Sequence, residues 1–138
     1  LNISGKVLEF GSGPGPVLYQ LLQERGYDVT QFDPFYHSSP TYKSQTYQLI
    51  TSTEVVEHFF DPVKEFKHLS DLLEKDGYLL IMTHLRNGDL DTFLNWWYRR
   101  DVTHVSFYQL NTLEYIANEC GLELVKHNNK NIILFKKK

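Results

Sequence analysis

Cysteine and methionine are nearly missing from this sequence, with one of each among 138 residues. A lone cysteine, Cys120, rules out an intramolecular disulfide and favours a reducing compartment, so a cytoplasmic location is expected. No apolar run approaches the roughly 20 residues of a bilayer-spanning helix, and no signal peptide is visible. An excess of charge is also lacking: 14 Lys and Arg stand against 17 Asp and Glu, a formal net charge of −3. That argues against an extended nucleic-acid surface and leaves only a local basic patch open. The single basic run, Lys136-Lys137-Lys138, reads as a solvated terminus. Internal repeats and linkers are absent. The chain has no methionine at position 1 and enters its first strand almost at once, so sequence upstream of Leu1 is expected.

What is present is the content of a globular protein: 41% hydrophobic and 14% aromatic residues. Residues 1–138 are long enough for one domain with a real core. Short apolar runs predict strands at 6–10, 27–32, 47–51 and 78–82, with a closing hairpin of 122–126 and 131–135 about a His127-Asn128-Asn129-Lys130 turn. Between them, helical spacing appears at Val17, Leu18, Leu21 and Leu22, with Gly26 as C-terminal cap. It appears again at Val63, Phe66, Leu69, Leu72 and Leu73, behind an Asp61-Pro62 start. Thr51-x-x-Glu54 reads as a capping box opening a short helix to about Phe59. Residues 89–98 read as helical and aromatic. Asn111 is expected to cap a last helix carrying Leu113, Ile116 and Ala117. The segment 34–46 is too short for a helix plus a long strand and is expected to hold at most a small strand. Alternating strands and helices predict an α/β fold: a Rossmann-like, mostly parallel sheet with helices on both faces and a C-terminal antiparallel hairpin.

The most informative stretch is Val7-Leu8-Glu9-Phe10-Gly11-Ser12-Gly13-Pro14-Gly15, an apolar strand running into a glycine turn before a helix. The next strand ends on Asp33, 20 residues beyond Gly13. Glycines let the backbone approach a ligand closely, and a carboxylate can accept from both ribose hydroxyls. A dinucleotide loop wants G-x-G-x-x-G, with a pyrophosphate on the helix N-terminus. Here the spacing is G-x-G-x-G, and Pro16 occupies the third dinucleotide position. The bland reading is a tight strand-to-helix turn with Asp33 capping a loop.

With Glu9 just before it, the loop resembles motif I of the class I S-adenosylmethionine-dependent methyltransferases. The segment from Tyr47 through Glu54-Val55-Val56-Glu57-His58 to Asp61-Pro62 resembles the fourth-strand region of the same family. Lys75-Asp76-Gly77 before a buried strand and Cys120-Gly121-Leu122 also match. The likeness covers nearly the whole chain and is weakest over 34–46, where the usual adenine contacts are not recognisable. It implies S-adenosylmethionine as cofactor, held by Glu9, Phe10, Gly11, Ser12, Gly13, Gly15, Asp33, Ser52 and Thr53. It implies methyl transfer to an acceptor, an oxygen nucleophile by our reading.

On a helix, Glu54, Glu57 and His58 would share one face. Two carboxylates and an imidazole can bind a divalent cation, Mg²⁺ or Mn²⁺. By resemblance to metal-dependent O-methyltransferases, including those of small-RNA 3′ ends and of the ubiquinone pathway, Glu54, Glu57, His58 and His104 are candidate ligands. Such a cation would lower the pKa of a bound hydroxyl. His58 and His104 are also the candidate catalytic residues, and His104 can serve as a general base without a metal. Purely structural roles for these four remain open.

Trp96, Trp97, Tyr98, Arg99 and Arg100 read either as a substrate wall or as packing of a short helix. His84, after the 78–82 strand, faces either the pocket or a loop. His37, His68 and His127 read as surface or loop residues, and Met82 and Cys120 as packing. A small-molecule acceptor fits best, and an RNA end fits less well with the acidic balance. Two rivals differ in class: a nucleotide-dependent oxidoreductase on a similar fold, which Pro16 opposes, and a non-catalytic cofactor-binding domain.

Overall fold

The computed structural model describes residues 1–86 and 88–138. Among the described residues, one sheet is built from β1 (Lys6–Phe10), β2 (Asp28–Phe32), β3 (Tyr47–Thr53), β4 (Leu73–Met82), β5 (Leu122–His127) and β6 (Ile132–Lys137). Their order across the sheet is β2-β1-β3-β4-β6-β5. The first four pair in parallel, and β6 runs antiparallel to both β4 and β5. The helices are α1 (Val17–Glu24), α2 (Pro62–Leu72), α3 (Leu90–Leu94) and α4 (Leu110–Glu119). No described helix is long and apolar enough to cross a membrane.

Alternation along each strand divides the core. Val7, Val29 and Leu49 point to one face and pack with Tyr19 and Leu22 of α1. Leu8, Phe10, Ile50, Leu79, Ile81, Ile133 and Phe135 point to the other, with Phe66 and Leu69 of α2 and Leu113 and Ile116 of α4. Helices therefore cover both faces, as the strand–helix alternation predicts. Helix α2 begins where its cap chemistry dictates: the Asp61 carboxylate accepts from the Lys64 N–H at 3.2 Å, and Pro62 takes the first turn. After α1 the chain turns at Gly26, whose φ is 86°.

From β1 the chain goes to β2 on one side, then returns to β3 on the other. The loops after β1 and β3 thus leave toward opposite faces and open a crevice at the strands' carboxyl ends.

Several local expectations are corrected, though segment 34–46 stays within its expected limit of at most a small strand: it makes only a bridge between Asp33 and His37 and a 3₁₀ turn at Pro40–Ser44. The strand that the family resemblance places fourth is therefore third in this chain. The expected capping box does not form at Thr51. Instead β3 continues to Thr53 because the ladder to β4 persists: Ser52 and Thr53 pair with Ile81 and Met82, and the Glu54 N–H donates to the Met82 carbonyl at 2.8 Å. Glu54 then turns left-handed (φ 56°), and only Val56–His58 is helical, as 3₁₀. The β-branched pair Val55-Val56 gives little support to an α-helix there. Asn111 does not cap α4. It lies inside that helix, and its side-chain Oδ1 accepts from the Thr112 N–H. The aromatic segment 89–98 holds only the short α3, followed by a 3₁₀ turn at Trp97–Arg100. His68 is a partly buried residue of α2, bonded to the Tyr42 hydroxyl at 3.0 Å.

Candidate functional site

The glycine loop is shaped by two different constraints. Gly11 has φ 83°, and a Cβ there would overlap the Val55 side chain. Its glycine is demanded by the protein itself. Gly13 has φ 65°, yet a Cβ there would meet nothing within 4 Å. That open space belongs to a cavity of ≈ 550 Å³, the size of a ligand cleft. Asp33 organises the rim. Its Oδ2 accepts from the Gly13 N–H at 2.9 Å, and its Oδ1 accepts from the Phe35 N–H at 2.9 Å and the Tyr36 N–H at 3.3 Å.

Three carboxylates line the cavity, those of Glu9, Asp33 and Glu54. No lysine or arginine lines it among the described residues. A phosphate-bearing dinucleotide would find no cation there, whereas a cationic ligand with a ribose would find acceptors. Burial raises the Glu9 carboxyl above its ordinary pKa, opposed by a hydrogen bond from Gln31. The Ser12 hydroxyl is buried near the loop and has no protein partner.

A second cluster stands beside this cavity. Ligand atoms of Glu57, His58 and His104 lie within 4.8 Å of one another. His58 lines the cavity, so cluster and cavity adjoin. His58 Nδ1 bonds the Thr103 carbonyl at 2.8 Å, and His104 Nδ1 bonds the Tyr98 carbonyl at 2.7 Å. A carbonyl only accepts, so both rings carry a proton on Nδ1, and each Nε2 is left without a hydrogen bond, although His104 Nε2 also lies 3.4 Å from Asp101 Oδ2. Glu57 is fully buried. Its Oε2 accepts from the Thr83 hydroxyl at 2.7 Å, while its Oε1 has no hydrogen-bond donor and lies 3.7 Å from His58 Nε2. Two free imidazole nitrogens, a free carboxylate oxygen and hydrogen-bonded outer partners suit a divalent cation with open positions.

A protein-family model described as a methyltransferase domain matches residues 1–127. The chain belongs to that family. The fold of this methyltransferase domain is shared by solved structures. The mitomycin 7-O-methyltransferase MmcR superposes with a TM-score of 0.76 at 11% identity, over 98% of this chain and 49% of that one. YcgJ of Bacillus subtilis gives 0.67 at 17% identity, over 99% and 93%. CalO1, a methyltransferase of calicheamicin biosynthesis in its SAH-bound form, gives 0.73 at 13% identity, over 100% and 50%. This chain thus spans about half the length of MmcR and CalO1. No curated protein matches the sequence. Membership of the family makes the chain a methyltransferase domain, and its fold is the one these methyltransferases share.

Within the methyltransferase domain, the cavity gathers Glu9, Gly11, Ser12, Gly13, Gly15, Asp33 and Thr53. Phe10 and Ser52 stand outside its lining. Strand alternation turns both toward the α2 face, where Phe10 stacks on Phe32 at 5.3 Å and Ser52 is buried. Glu54 is separated from the histidine cluster. Its Oε2 accepts from the Tyr98 hydroxyl at 2.8 Å, and its Oε1 lies 3.8 Å from His84 Nε2. Burial raises the Glu54 pKa, the Tyr98 hydrogen bond lowers it, and the nearby Glu57 charge raises it again.

Sequence reasoning missed Leu18, Pro34, Phe35 and Val55 in the lining, and the pair Thr83 and Tyr98 behind the cluster. Phe35 left a signal, as an aromatic two residues past an acidic strand end, and it is 87% exposed. Tyr98 lay hidden in an aromatic run whose other members do pack: Trp96 tilts against Tyr98 and Phe93, and Trp97 stands edge-on to His84.

Proposed function

We propose that this domain transfers the methyl group of S-adenosylmethionine to a hydroxyl oxygen of a small-molecule acceptor, aided by a divalent cation at Glu57, His58 and His104. The observation that carries the acceptor chemistry is the pair of free Nε2 lone pairs beside the unpartnered Glu57 Oε1, at the border of the cavity.

For the cofactor, the fit rests on the open space at Gly13, the Ser12 hydroxyl without a partner and the absence of lining cations among the described residues. When bound, S-adenosylmethionine supplies an electrophilic methyl on a sulfonium. Glu9 would face its cationic groups, Gly11–Gly15 would admit it by close backbone approach, and Asp33 would accept from the ribose with lone pairs left over from its loop bonds. The cation, when bound, would lower the pKa of an acceptor hydroxyl. Two imidazoles favour Mn²⁺ over Mg²⁺, which prefers oxygen. With a cation held by both Nε2 atoms neither imidazole keeps a lone pair for the hydroxyl proton, so that proton would leave to solvent. The same lone pairs support a second reading, general-base catalysis without a cation. The names of MmcR and CalO1, which act in small-molecule chemistry, support a small acceptor.

Calorimetry tests both halves. S-adenosylhomocysteine should bind, and NADPH should not. Tight NADPH binding with no S-adenosylhomocysteine binding would establish the oxidoreductase alternative instead. Mn²⁺ alone should bind once, and the site should vanish in Glu57→Ala and His104→Ala. Unchanged Mn²⁺ binding in both variants rejects these ligands. Radiolabelled cofactor offered with a panel of phenols and alcohols tests transfer. Binding without transfer to any of them favours a non-catalytic domain.

A further inference from the structure

One buried residue joins the cluster to the cavity wall, and the proposed chemistry does not use it. The Tyr98 hydroxyl donates to Glu54 Oε2 at 2.8 Å and lies 3.2 Å from the Thr83 hydroxyl oxygen, which in turn serves Glu57. The Tyr98 carbonyl receives the His104 Nδ1 proton. Its ring lies 4.1 Å from the His104 ring and 4.9 Å from that of His84. Tyr98 itself is 1% exposed.

We infer that Tyr98 is a positioning residue, which with Thr83 ties Glu54 at the cavity wall to Glu57 and His104 in the cluster. This rests on the cluster serving the acceptor. Three features support it. The backbone carbonyl fixes the His104 tautomer, and the ring packed on it fixes the orientation. Glu57 Oε2 is engaged by Thr83, so Oε1 is the oxygen left for a ligand. Glu54 carries a left-handed φ of 56°, a conformation that costs a non-glycine residue energy and persists when neighbours hold it. The hydroxyl of Tyr98 is such a hold. Tyr98 sits on the 3₁₀ turn behind α3, in the same turn as Trp97, which is 61% exposed. The aromatic segment is therefore latched to the sheet through the same groups that shape the cluster.

Tyr98→Phe and Thr83→Val remove one hydroxyl each and keep shape. The ¹³C carboxyl signals of Glu54 and Glu57 report the coupling in the metal-free protein. Both signals should move in each variant, and melting temperature should fall more in Thr83→Val, which takes from buried Glu57 its side-chain hydrogen bond. Calorimetry with Mn²⁺ should then show affinity falling about 10- to 100-fold in each, the usual effect of losing an outer-sphere partner. The double variant should lose no more than the worse single one, because both act through one chain of contacts. S-adenosylhomocysteine affinity should stay within about twofold. The inference is overturned if each variant moves only its own carboxylate, if the losses multiply, or if S-adenosylhomocysteine binding falls in step with Mn²⁺. A wild type that binds S-adenosylhomocysteine but no Mn²⁺ defeats the cation reading, and the carboxyl signals alone then decide the role of Tyr98.

Discussion

At the scale of single residues, Gly11 and Gly13 look alike in sequence and differ in what they answer to. Both have positive φ. Gly11→Ala should cost about 1–3 kcal/mol from backbone strain, with overlap against Val55 adding to it. Gly13→Ala should cost about 1–2 kcal/mol and meet no protein atom. Its larger effect should fall on ligand affinity. Denaturant melts and S-adenosylhomocysteine titration separate the two. Glu9 gives a pH prediction. Its folded pKa is raised by burial above the ordinary 4.5. The folded state therefore holds this proton more tightly than the unfolded state does. Ionised Glu9 opposes folding, fully so above the raised value, and the opposition disappears as pH falls below the ordinary one. Glu9→Gln should raise the melting temperature at pH 7 and lose that advantage near pH 4, while weakening S-adenosylmethionine binding. An advantage that grows on acidification would contradict this.

At the scale of elements, caps that look equivalent in sequence are not. Asp61→Ala should cost about 1 kcal/mol because it strands a helix N–H. Asn111→Ala should cost less, under about 0.5 kcal/mol, since Asn111 lies within the first turn and not at the N-cap, and bonds only the adjacent Thr112 N–H. Chemical denaturation of the two variants checks the contrast. The same contrast explains what was legible. Asp61-Pro62, Gly26 and the hairpin turn carry their own local chemistry, so they read correctly. The Thr51-x-x-Glu54 signal failed because a neighbouring strand outbid it: pairing with Met82 is a long-range fact that no window around Thr51 contains. The Glu57, His58 and His104 cluster was legible in its residues but not in its membership. Glu54 and Glu57 were grouped by helical spacing, and the left-handed turn at Glu54 sends its carboxylate to Tyr98 instead.

At the scale of the whole molecule, stability rests chiefly on one face of the sheet. The larger core lies under α2 and α4, where Phe66 is fully buried among Phe59, Tyr108 and Phe135. Phe66→Ala should cost about 3–5 kcal/mol. Tyr19, on the far face over a core of three fully packed residues, should cost less when truncated. Thermal melts of both variants test the asymmetry. The mostly parallel sheet and its antiparallel end were readable from strand–helix alternation and the hairpin, whereas the strand order was not. The missing strand in 34–46 leaves β2 at the sheet margin, with β1 as its one strand partner.

Asp33 has a consequence that reaches beyond the present molecule. Its two oxygens already fasten the glycine loop and the turn that follows β2, and the same carboxylate faces the cavity. Shape and selectivity thus hang on one side chain. Asparagine there would keep a single acceptor oxygen and loosen the rim while changing what the rim can grip. Drift toward a different ligand cannot begin at this position without first rebuilding the walls, so divergence has freer routes through Phe35 and Phe60, whose side chains are almost fully exposed.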